Sequence, residues 1–277
     1  MREASTLPSF ANSTGPLELR GVHLWCVRPD GVRGDRLLRL YEAMLSPDER
    51  GRYVRLKFAP NRHEFLITRA LVRTVLARYL GVEPPSLRFE HGPFGRPEIT
   101  PRHDVRFNLS NSGGLVVCLV SESREVGVDV EPLARASAIL ELAAEVFSPH
   151  ELAALRALPR EAQFSRALSL WTLKESYIKA RGMGLAIPLK LFSFVFPETG
   201  PPRVEIDPSL GDRASRWRCG SIDRFGHRIS WTVEHRGPSA LGVQVFDTVP
   251  LVSYSSRSAG DADASGLVLR RALNGRG

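Results

Sequence analysis

The chain has 277 residues, of which 43% are hydrophobic and 25% are charged, and its formal net charge is +8. This length allows one large domain or two smaller ones with real cores. No apolar run reaches the ~18 residues that a membrane span needs, and residues 1–16 lack the hydrophobic segment of a signal peptide. The cysteines at 26, 118 and 219 have no metal-ligand spacing, so the composition favours a cytoplasmic protein without a disulfide framework or a zinc site.

The elements of the N-terminal half follow from hydrophobic spacing and from helix start and stop signals. Ser46 followed by Pro47 predicts the start of a helix, and Gly81 predicts the end of a long one. In chain order we expect a flexible segment over 1–17, a strand over 19–27, helices over 35–44, 46–58 and 61–80, and strands over 87–90, 105–109, 115–121 and 125–131. The last two strands are expected to pair as a β-hairpin, and residues 91–98 and 110–114 are expected to be loops.

The C-terminal half is centred on a long helix predicted over 160–181. Its apolar residues recur at helical spacing, and Gly182 follows a basic last turn as a stop signal. In chain order we expect helices over 141–146, from 148 onward and over 160–181, followed by strands near 192–196, 203–206, 216–221, 228–235 and 240–246. From residue 254 onward the composition turns to Ser, Gly, Ala, Asp and Arg, and this tail is not expected to pack.

Two segments of the chain resemble each other. Residues 45–49 and 147–151 share a serine-proline start and a glutamate, and each precedes a long helix that ends at a glycine. This echo suggests an internal duplication, which predicts an α+β fold of two similar subdomains with a ligand-binding cleft between them. The alternative is that two unrelated helices share the same capping signals. The predicted domains are a flexible N-terminus over 1–17, subdomains over 18–131 and 132–253, and a disordered tail over 254–277.

A strand in the middle of the chain carries two carboxylates. Asp129 and Glu131 alternate with valines and are two residues apart, so both side chains project from one face of the strand. One interpretation is a polar strand face that meets water. The other is a site for a hard cation, because like charges side by side repel unless a cation or solvent screens them. Mg²⁺ commonly takes one or two carboxylates and completes its octahedron with water and substrate phosphate.

A second pair of charges lies on the long helix of the C-terminal half. Glu175 and Lys179 are four residues apart and therefore share one helix face. On its own this spacing is also that of an ordinary surface ion pair, which contributes only ~0.3–0.5 kcal/mol. Together with Asp129 and Glu131, however, Glu175 would complete a triad of carboxylates for a metal ion.

Three motifs in order resemble those of the 4'-phosphopantetheinyl transferases, and the length and the internal echo resemble the surfactin-synthetase type. The motifs are residues 107–114, 126–131 and 171–179, and residues 94–97 resemble a further Gly-Lys-Pro segment of the family. The resemblance implies a monomeric pseudo-dimer with its active site in the cleft. It also implies transfer of the phosphopantetheine arm of coenzyme A to a serine of an apo carrier protein, which releases 3',5'-ADP. The carrier could belong to fatty-acid, polyketide or nonribosomal peptide synthesis.

The resemblance also assigns roles to individual residues. Asp129 would be the firmest Mg²⁺ ligand, with Mn²⁺ as an alternative metal, and Glu131 and Glu175 would be the other carboxylates of the site. Either glutamate could take the proton of the carrier serine, and Lys179 would lie beside the phosphates. Residues expected along the coenzyme A path are Arg52, Gly95, Arg96, Pro97, Asn108, Ser110, Asn111 and Lys179.

One position departs from the family pattern. Asn111 stands where many relatives have a histidine that would contact a coenzyme A phosphate as a cation. An asparagine can donate a hydrogen bond but carries no charge. The departure therefore concerns coenzyme A binding and leaves the metal site untouched.

The basic composition, with a pI near 9.9, suits an anionic partner. A basic enzyme surface would steer an acidic carrier protein, and the candidate residues are Arg55, Lys57, Arg62, Arg69 and Arg73. Two other functions remain open at this stage. A nucleic-acid-binding module is disfavoured because aromatic residues are few and no recognised nucleic-acid motif is present. A catalytically silent scaffold is disfavoured because the charged residues of the predicted site are all present.

Overall fold

Two β-sheets pack face to face, and each carries one long helix on its outer face. The structure is a computed structural model that describes residues 17–237, 241–258 and 270–271. Its helices and strands mix as an α+β fold, in agreement with the predicted class. No helix in these described ranges is long and apolar enough to cross a membrane.

The helices of the described ranges are α1 (Asp35–Met44), α2 (Pro47–Arg55), α3 (Ala59–Leu80), α4 (Ala136–Glu141), α5 (Ala143–Val146), α6 (Pro149–Arg156) and α7 (Arg160–Arg181). The strands are β1 (Val22–Val27), β2 (Arg88–His91), β3 (Pro97–Thr100), β4 (Val105–Ser112), β5 (Leu115–Glu122), β6 (Val126–Pro132), β7 (Phe192–Val195), β8 (Arg203–Ile206), β9 (Trp217–Arg224), β10 (His227–Glu234), β11 (Val243–Val249), β12 (Ser253–Ser258) and β13 (Arg270–Arg271). The bounds of α1 and α7 are those that the sequence predicts.

The larger sheet has the strand order β13-β12-β11-β1-β5-β4, and the smaller one has the order β6-β10-β9. Strand β1 runs parallel to β11, and the other pairs in these sheets are antiparallel. Two short hairpins, β2–β3 and β7–β8, complete the strand pairings of the described residues. The edge strands β4 and β6 belong to different sheets.

Strand alternation divides the apolar residues among three cores. Val126, Val128 and Val130 of β6 point into the core between the two sheets. Because successive side chains of a strand point to opposite faces, Asp129 and Glu131 lie on the face of β6 that α7 covers. A second core lies between the larger sheet and α3, and a third surrounds the apolar face of α7.

Gly127 allows α7 to lie directly on β6. A Cβ atom at this position would stand 2.0 Å from the carbonyl oxygen of Ser176 and 2.3 Å from the backbone nitrogen of Ala180. These distances are far below van der Waals contact, so only glycine fits. The close approach places the Glu175–Lys179 turn of the helix beside the acidic strand.

The internal echo of the sequence is present in the structure. Ser46 and Ser148 each begin a helix with a complete capping box, and α3 and α7 each have 22 residues and end at a glycine in the left-handed conformation. Each capping glutamate also forms an ion pair with a buried cation of the long helix that follows it. Arg73 Nη2 lies 2.8 Å from Glu49 Oε2, and Lys174 Nζ lies 2.8 Å from Glu151 Oε2. Each cation is the fifteenth residue of its long helix.

Several predictions about strands are wrong. Strands β5 and β6 do not form a hairpin, because β5 pairs with β1 and β4 whereas β6 pairs with β10. The predicted loop over 110–114 is mostly strand, since β4 continues to Ser112 and only Gly113 and Gly114 turn. Part of the predicted loop over 91–98 pairs as the β2–β3 hairpin.

Two further predictions are corrected by burial. Tyr254 lies in β12 and is buried against the core of the larger sheet. The ordered part of the C-terminal half therefore continues through β12 to Ser258, whereas the sequence predicts that it ends at 253. Arg73 is 1% exposed and its guanidinium also donates to the carbonyls of Pro84 and Leu87, so it is not available to a partner. The flexible N-terminus predicted over 1–17 lies outside the described residues except for Leu17, which packs against the core. Residues 259–269 and 272–277 of the predicted tail also lie outside them.

Candidate active site

The predicted site residues meet where the edge of one sheet approaches the edge of the other. Asn108 of β4 makes the junction, because its Oδ1 accepts a hydrogen bond of 3.0 Å from the backbone N–H of Val128 in β6. Asn108 is buried, so this bond replaces solvent for the strand edge. Helix α7 closes the third side, and the side chains of β4, β6 and α7 therefore converge.

Asp129 is at the centre of this convergence. Its Oδ1 lies 2.6 Å from Lys179 Nζ and accepts a 3.0 Å hydrogen bond from the Ser110 hydroxyl, which in turn accepts a 3.0 Å hydrogen bond from Lys179. Its Oδ2 is buried and has no hydrogen-bond partner among the described residues. Burial raises the pKa of Asp129, Lys179 opposes that rise, and the charge of Glu131 adds to it. One oxygen of a buried carboxylate is thus left free for another ligand.

Glu131 is held at both oxygens. Its Oε2 accepts a 2.7 Å hydrogen bond from the Ser112 hydroxyl, and its Oε1 lies 2.6 Å from Nη1 of Arg135. The Glu131 side chain is buried, whereas the Arg135 side chain is 48% exposed. The guanidinium therefore covers the carboxylate from the solvent side.

Glu175 lies half-buried on α7, and no described residue hydrogen-bonds its carboxylate. Burial raises the pKa of Glu175, the charge of Asp129 raises it further, and Lys179 opposes both effects. A half-exposed carboxylate with a raised pKa is the kind of group that serves as a proton acceptor.

The raised pKa values of Asp129 and Glu175 predict how stability depends on pH in metal-free solution. The folded protein binds more protons than the unfolded chain between the ordinary and the raised pKa, so stability falls as the pH rises through the raised pKa. We expect Glu175→Gln to raise Tm at neutral pH, and this gain to vanish as the pH approaches 4.5, the ordinary value for glutamate. Thermal unfolding in EDTA across this range measures it, with exposed Glu198→Gln as the control. A gain that does not change with pH would contradict the assignment.

The donor set suits a hard cation only in part. Carboxylate oxygen is the ligand that Mg²⁺ prefers, and the unpartnered Oδ2 of Asp129 is a buried oxygen of this kind. The described residues contain no group of three His, Cys, Asp or Glu side chains arranged to hold a metal ion. Lys179 and Arg135 instead neutralise Asp129 and Glu131. An ion here would thus use few protein ligands and complete its shell with water or substrate oxygen.

The residues predicted to bind coenzyme A fall into two groups. Ser110 and Lys179 belong to the Asp129 network, and Asn108 supports it. Asn111 is separate from this network, because its Nδ2 donates a 2.5 Å hydrogen bond to Glu64 Oε1 on α3. Asn111 therefore faces a carboxylate of α3. Arg52 is exposed and lies over the ring of Phe65, 5.5 Å from its centroid.

The segment over 94–97 reaches the end of α7. Arg96 Nη1 lies 2.8 Å from Glu125 Oε2 and 3.4 Å from the carbonyl oxygen of Ala180, so its guanidinium joins the strand β6 side to the helix end. Gly95 has a φ of 80° in the turn before β3, and Pro97 begins that strand. Arg96, Pro97 and Glu125 also line a pocket with Arg102 and Arg106.

Sequence reasoning missed the partners that surround the acidic residues. Arg135 follows Glu131 by four residues, but only the turn after β6 brings the two side chains together. Glu64 lies 47 positions from Asn111, and nothing local indicates that contact. The approach of α7 to β6 has a signal in the sequence, because Gly127 is a glycine inside a valine-rich strand and such a glycine often marks a close backbone approach.

A family model and several curated proteins resemble this chain. The model of the 4'-phosphopantetheinyl transferase superfamily matches residues 125–233, which include Asp129, Glu131, Glu175 and Lys179. The 4'-phosphopantetheinyl transferase HetI of Nostoc sp. is 35% identical over 191 residues, which cover 68% of this chain and 79% of HetI. The 4'-phosphopantetheinyl transferase Sfp of Bacillus subtilis is 33% identical over 184 residues, which cover 65% of this chain and 81% of Sfp.

Other comparisons differ in coverage. A phosphopantetheinyl transferase of Thraustochytrium sp. is 28% identical over 265 residues, which cover 90% of this chain. The holo-[acyl-carrier-protein] synthase of Neisseria meningitidis aligns with 40% of this chain at a TM-score of 0.35 and 18% identity, a likeness too weak to bear on function.

Sequence identity and coverage place this chain in the 4'-phosphopantetheinyl transferase superfamily, so it is a transferase. Among the members of that superfamily it is of the type that Sfp and HetI represent. The resemblance that the motifs predicted is confirmed.

Proposed function

We propose that this transferase moves the 4'-phosphopantetheine arm of coenzyme A to a serine of an apo carrier protein and releases 3',5'-ADP. One observation carries the proposal: at the junction of the two sheets, one oxygen of the buried Asp129 contacts Lys179, and the other has no hydrogen-bond partner in the part of the chain that the structure describes. This arrangement suits a reaction in which phosphate oxygens and a divalent cation meet a fixed carboxylate.

Asp129, with Glu131 and Glu175, would hold Mg²⁺, or Mn²⁺ in its place. The bound ion would supply neutralisation of the charge that develops on the pyrophosphate oxygens. The ammonium of Lys179 lies beside Asp129. Because its stem is flexible, this cation would also reach the pyrophosphate oxygens. Ser110 and Asn108 hold the carboxylate and the strand edge in place before substrate arrives.

Glu175 is the better of the two candidates for the general base. Both oxygens of Glu131 are engaged, by Ser112 and by Arg135, whereas the carboxylate of Glu175 has no hydrogen-bond partner among the described residues and is partly exposed. A base must reach the serine hydroxyl of the incoming protein directly or through one water. The role of Glu131 is then to add negative charge beside Asp129 and to position Arg135.

The repeated capping boxes and the paired long helices support an internal duplication. We therefore assign the N-terminal subdomain to 18–131 and the C-terminal subdomain to 132–258, in a single chain that acts as a monomer. Residues of both subdomains would form the cleft, since Ser110 comes from one and Lys179 from the other. Coenzyme A would enter past Arg52, Gly95, Arg96, Pro97 and Asn111.

The direct test is the intact mass of an apo acyl or peptidyl carrier protein after incubation with this protein, coenzyme A and Mg²⁺. We expect the carrier to gain one phosphopantetheine arm and to gain nothing when EDTA replaces Mg²⁺. The carrier with its serine replaced by alanine is the matched control and should stay unmodified. If carriers of fatty-acid, polyketide and peptide synthesis all remain unmodified by folded protein, the proposed function is wrong.

A further inference from the structure

The turn between β9 and β10 has an unexpected residue. Phe225 and Gly226 connect the two strands as a two-residue loop, and their φ angles are 51° and 73°. A loop with positive φ at both positions is the type I′ hairpin turn, which strongly favours Asn-Gly, Asp-Gly or Gly-Gly. A bulky side chain in the left-handed region is disfavoured, so the phenylalanine requires another explanation.

A second hairpin of the same molecule shows the ordinary solution. The β4–β5 hairpin also turns over two residues with positive φ, and both are glycines, Gly113 and Gly114. The two turns are neighbours, because Nε2 of His227 lies 3.1 Å from the carbonyl oxygen of Gly113. Of these two neighbouring turns, only the β9–β10 turn places a bulky residue, Phe225, in the left-handed region.

The Phe225 ring is displayed at the surface between two cations. The residue is 41% exposed, and the guanidinium carbons of Arg28 and Arg224 lie 4.9 Å and 4.8 Å from its ring centroid. Arg224 also pairs with Asp247 through its Nε at 2.8 Å, which fixes its orientation. Arg28 is exposed, and its guanidinium makes no hydrogen bond or ion pair with any described residue, whereas its carbonyl oxygen accepts a hydrogen bond from the backbone N–H of Gly31.

The turn that carries this ring lies beside the segment that follows β6, and so close in the chain to Glu131. The backbone N–H of Leu133 donates a 2.9 Å hydrogen bond to the carbonyl oxygen of Gly226, and Leu133 is 39% exposed. Leu133 comes two residues after Glu131, and the half-exposed Arg135 covers the Glu131 carboxylate. We call the patch formed by Phe225, Leu133, Arg28, Arg224 and Arg135 the Phe225 surface.

We propose that the Phe225 surface is the docking site for the protein substrate, an acidic carrier protein that places an apolar side chain between Phe225 and Leu133. The proposal rests on the proposed function, because a protein serine must reach Glu175 and Asp129. The arginines of the Phe225 surface surround an apolar centre, so they match acidic residues that surround an apolar side chain on the carrier protein. Aromatic and arginine side chains also dominate the binding energy at protein interfaces. Scattered exposed apolar residues need no explanation, but a strained one beside the site does.

Phe225→Asn tests the proposal without damaging the fold, because asparagine is a favoured residue at this turn position. We expect the KM for the apo carrier protein to rise about tenfold, which corresponds to ~1.4 kcal/mol of binding. The KM for coenzyme A and the Tm should stay at their wild-type values. Steady-state kinetics with each substrate varied in turn measures both constants.

Phe58→Asn is the matched control. Phe58 is 69% exposed, lies beside the basic residues Arg55 and Lys57, and occupies the N-cap of α3, where asparagine is also favoured. The KM for the carrier should not change in this variant. If Phe58→Asn raises that KM and Phe225→Asn does not, the carrier docks on the α2–α3 surface and the proposal is wrong.

Charge reversal at Arg28 gives an independent test. Because Arg28 is exposed, Arg28→Glu should fold normally, raise the KM for the carrier, and reduce the dependence of that KM on salt concentration. An unchanged KM in both Arg28→Glu and Phe225→Asn would overturn the docking site while leaving the transfer reaction intact. Absence of transfer by the unsubstituted protein would instead overturn the proposed function.

Discussion

Replacing Asp129 by asparagine is expected to lower the rate of phosphopantetheine transfer by about 10³-fold, the scale seen when a fixed electrostatic group is removed from an active site. Asparagine keeps the size of the side chain and an oxygen for Ser110 and Lys179, but it removes the charge that a divalent cation requires. The measurement is single-turnover labelling of a carrier protein followed by intact mass. Transfer within tenfold of wild type at saturating Mg²⁺ would contradict the central role of this carboxylate.

The same variant should keep its fold. Burial raises the pKa of Asp129, so its ionised form costs free energy that an uncharged amide does not. We expect Tm in EDTA to be equal to or higher than that of wild type, and the rise in Tm on adding Mg²⁺ to be lost. Asp207→Asn, which removes an exposed carboxylate on the 3₁₀ turn after β8, is the matched control and should change neither transfer nor the response to Mg²⁺.

Gly127→Ala is expected to damage both stability and activity although Gly127 touches no substrate in the proposed mechanism. The new Cβ would lie 2.0 Å from the Ser176 carbonyl oxygen, so α7 must move away from β6. Overpacking of this kind costs roughly 2–3 kcal/mol, and a 1 Å displacement of Glu175 and Lys179 can reduce the rate by about 10²-fold. Thermal unfolding and carrier labelling measure the two effects.

Gly242→Ala is the matched control for this prediction. Apart from its chain neighbours, no described residue has an atom within 4 Å of the position that its Cβ would take, so this substitution should change neither Tm nor transfer. If Gly127→Ala labels a carrier at the wild-type rate, then the spacing between α7 and β6 does not control the site. A loss of rate with an unchanged Tm would still support a positioning role for the helix.

Elements defined by local signals could be predicted from the sequence. The starts of α2 and α6 follow from serine caps and a first-turn proline, and the end of α7 follows from a closing glycine; all of these signals act within one helical turn. The residue types of the site could also be identified, because Asp129, Glu131, Glu175 and Lys179 stand in motifs that resemble a known family.

Strand pairing could not be predicted in the same way. The segments now known as β5 and β6 are joined by three residues, which is typical of a hairpin, yet they enter different sheets. Their valine side chains would be buried equally well whether the two strands paired within one sheet or faced each other from two sheets. The choice depends on β1 and β10, which lie about 90 to 110 residues away along the chain.

The sequence by itself therefore determined the family, the long helix and the four charged residues of the candidate site, because these depend on residue type and short spacing. Only the tertiary structure decided which atoms those residues meet. Lys179 lies 50 positions from Asp129, and Asn111 lies 47 from Glu64, so neither contact has a local signal. The tertiary structure also decided that Arg73 is buried and that Phe225 is exposed. Burial is a property of the packed elements together, and no single segment specifies it.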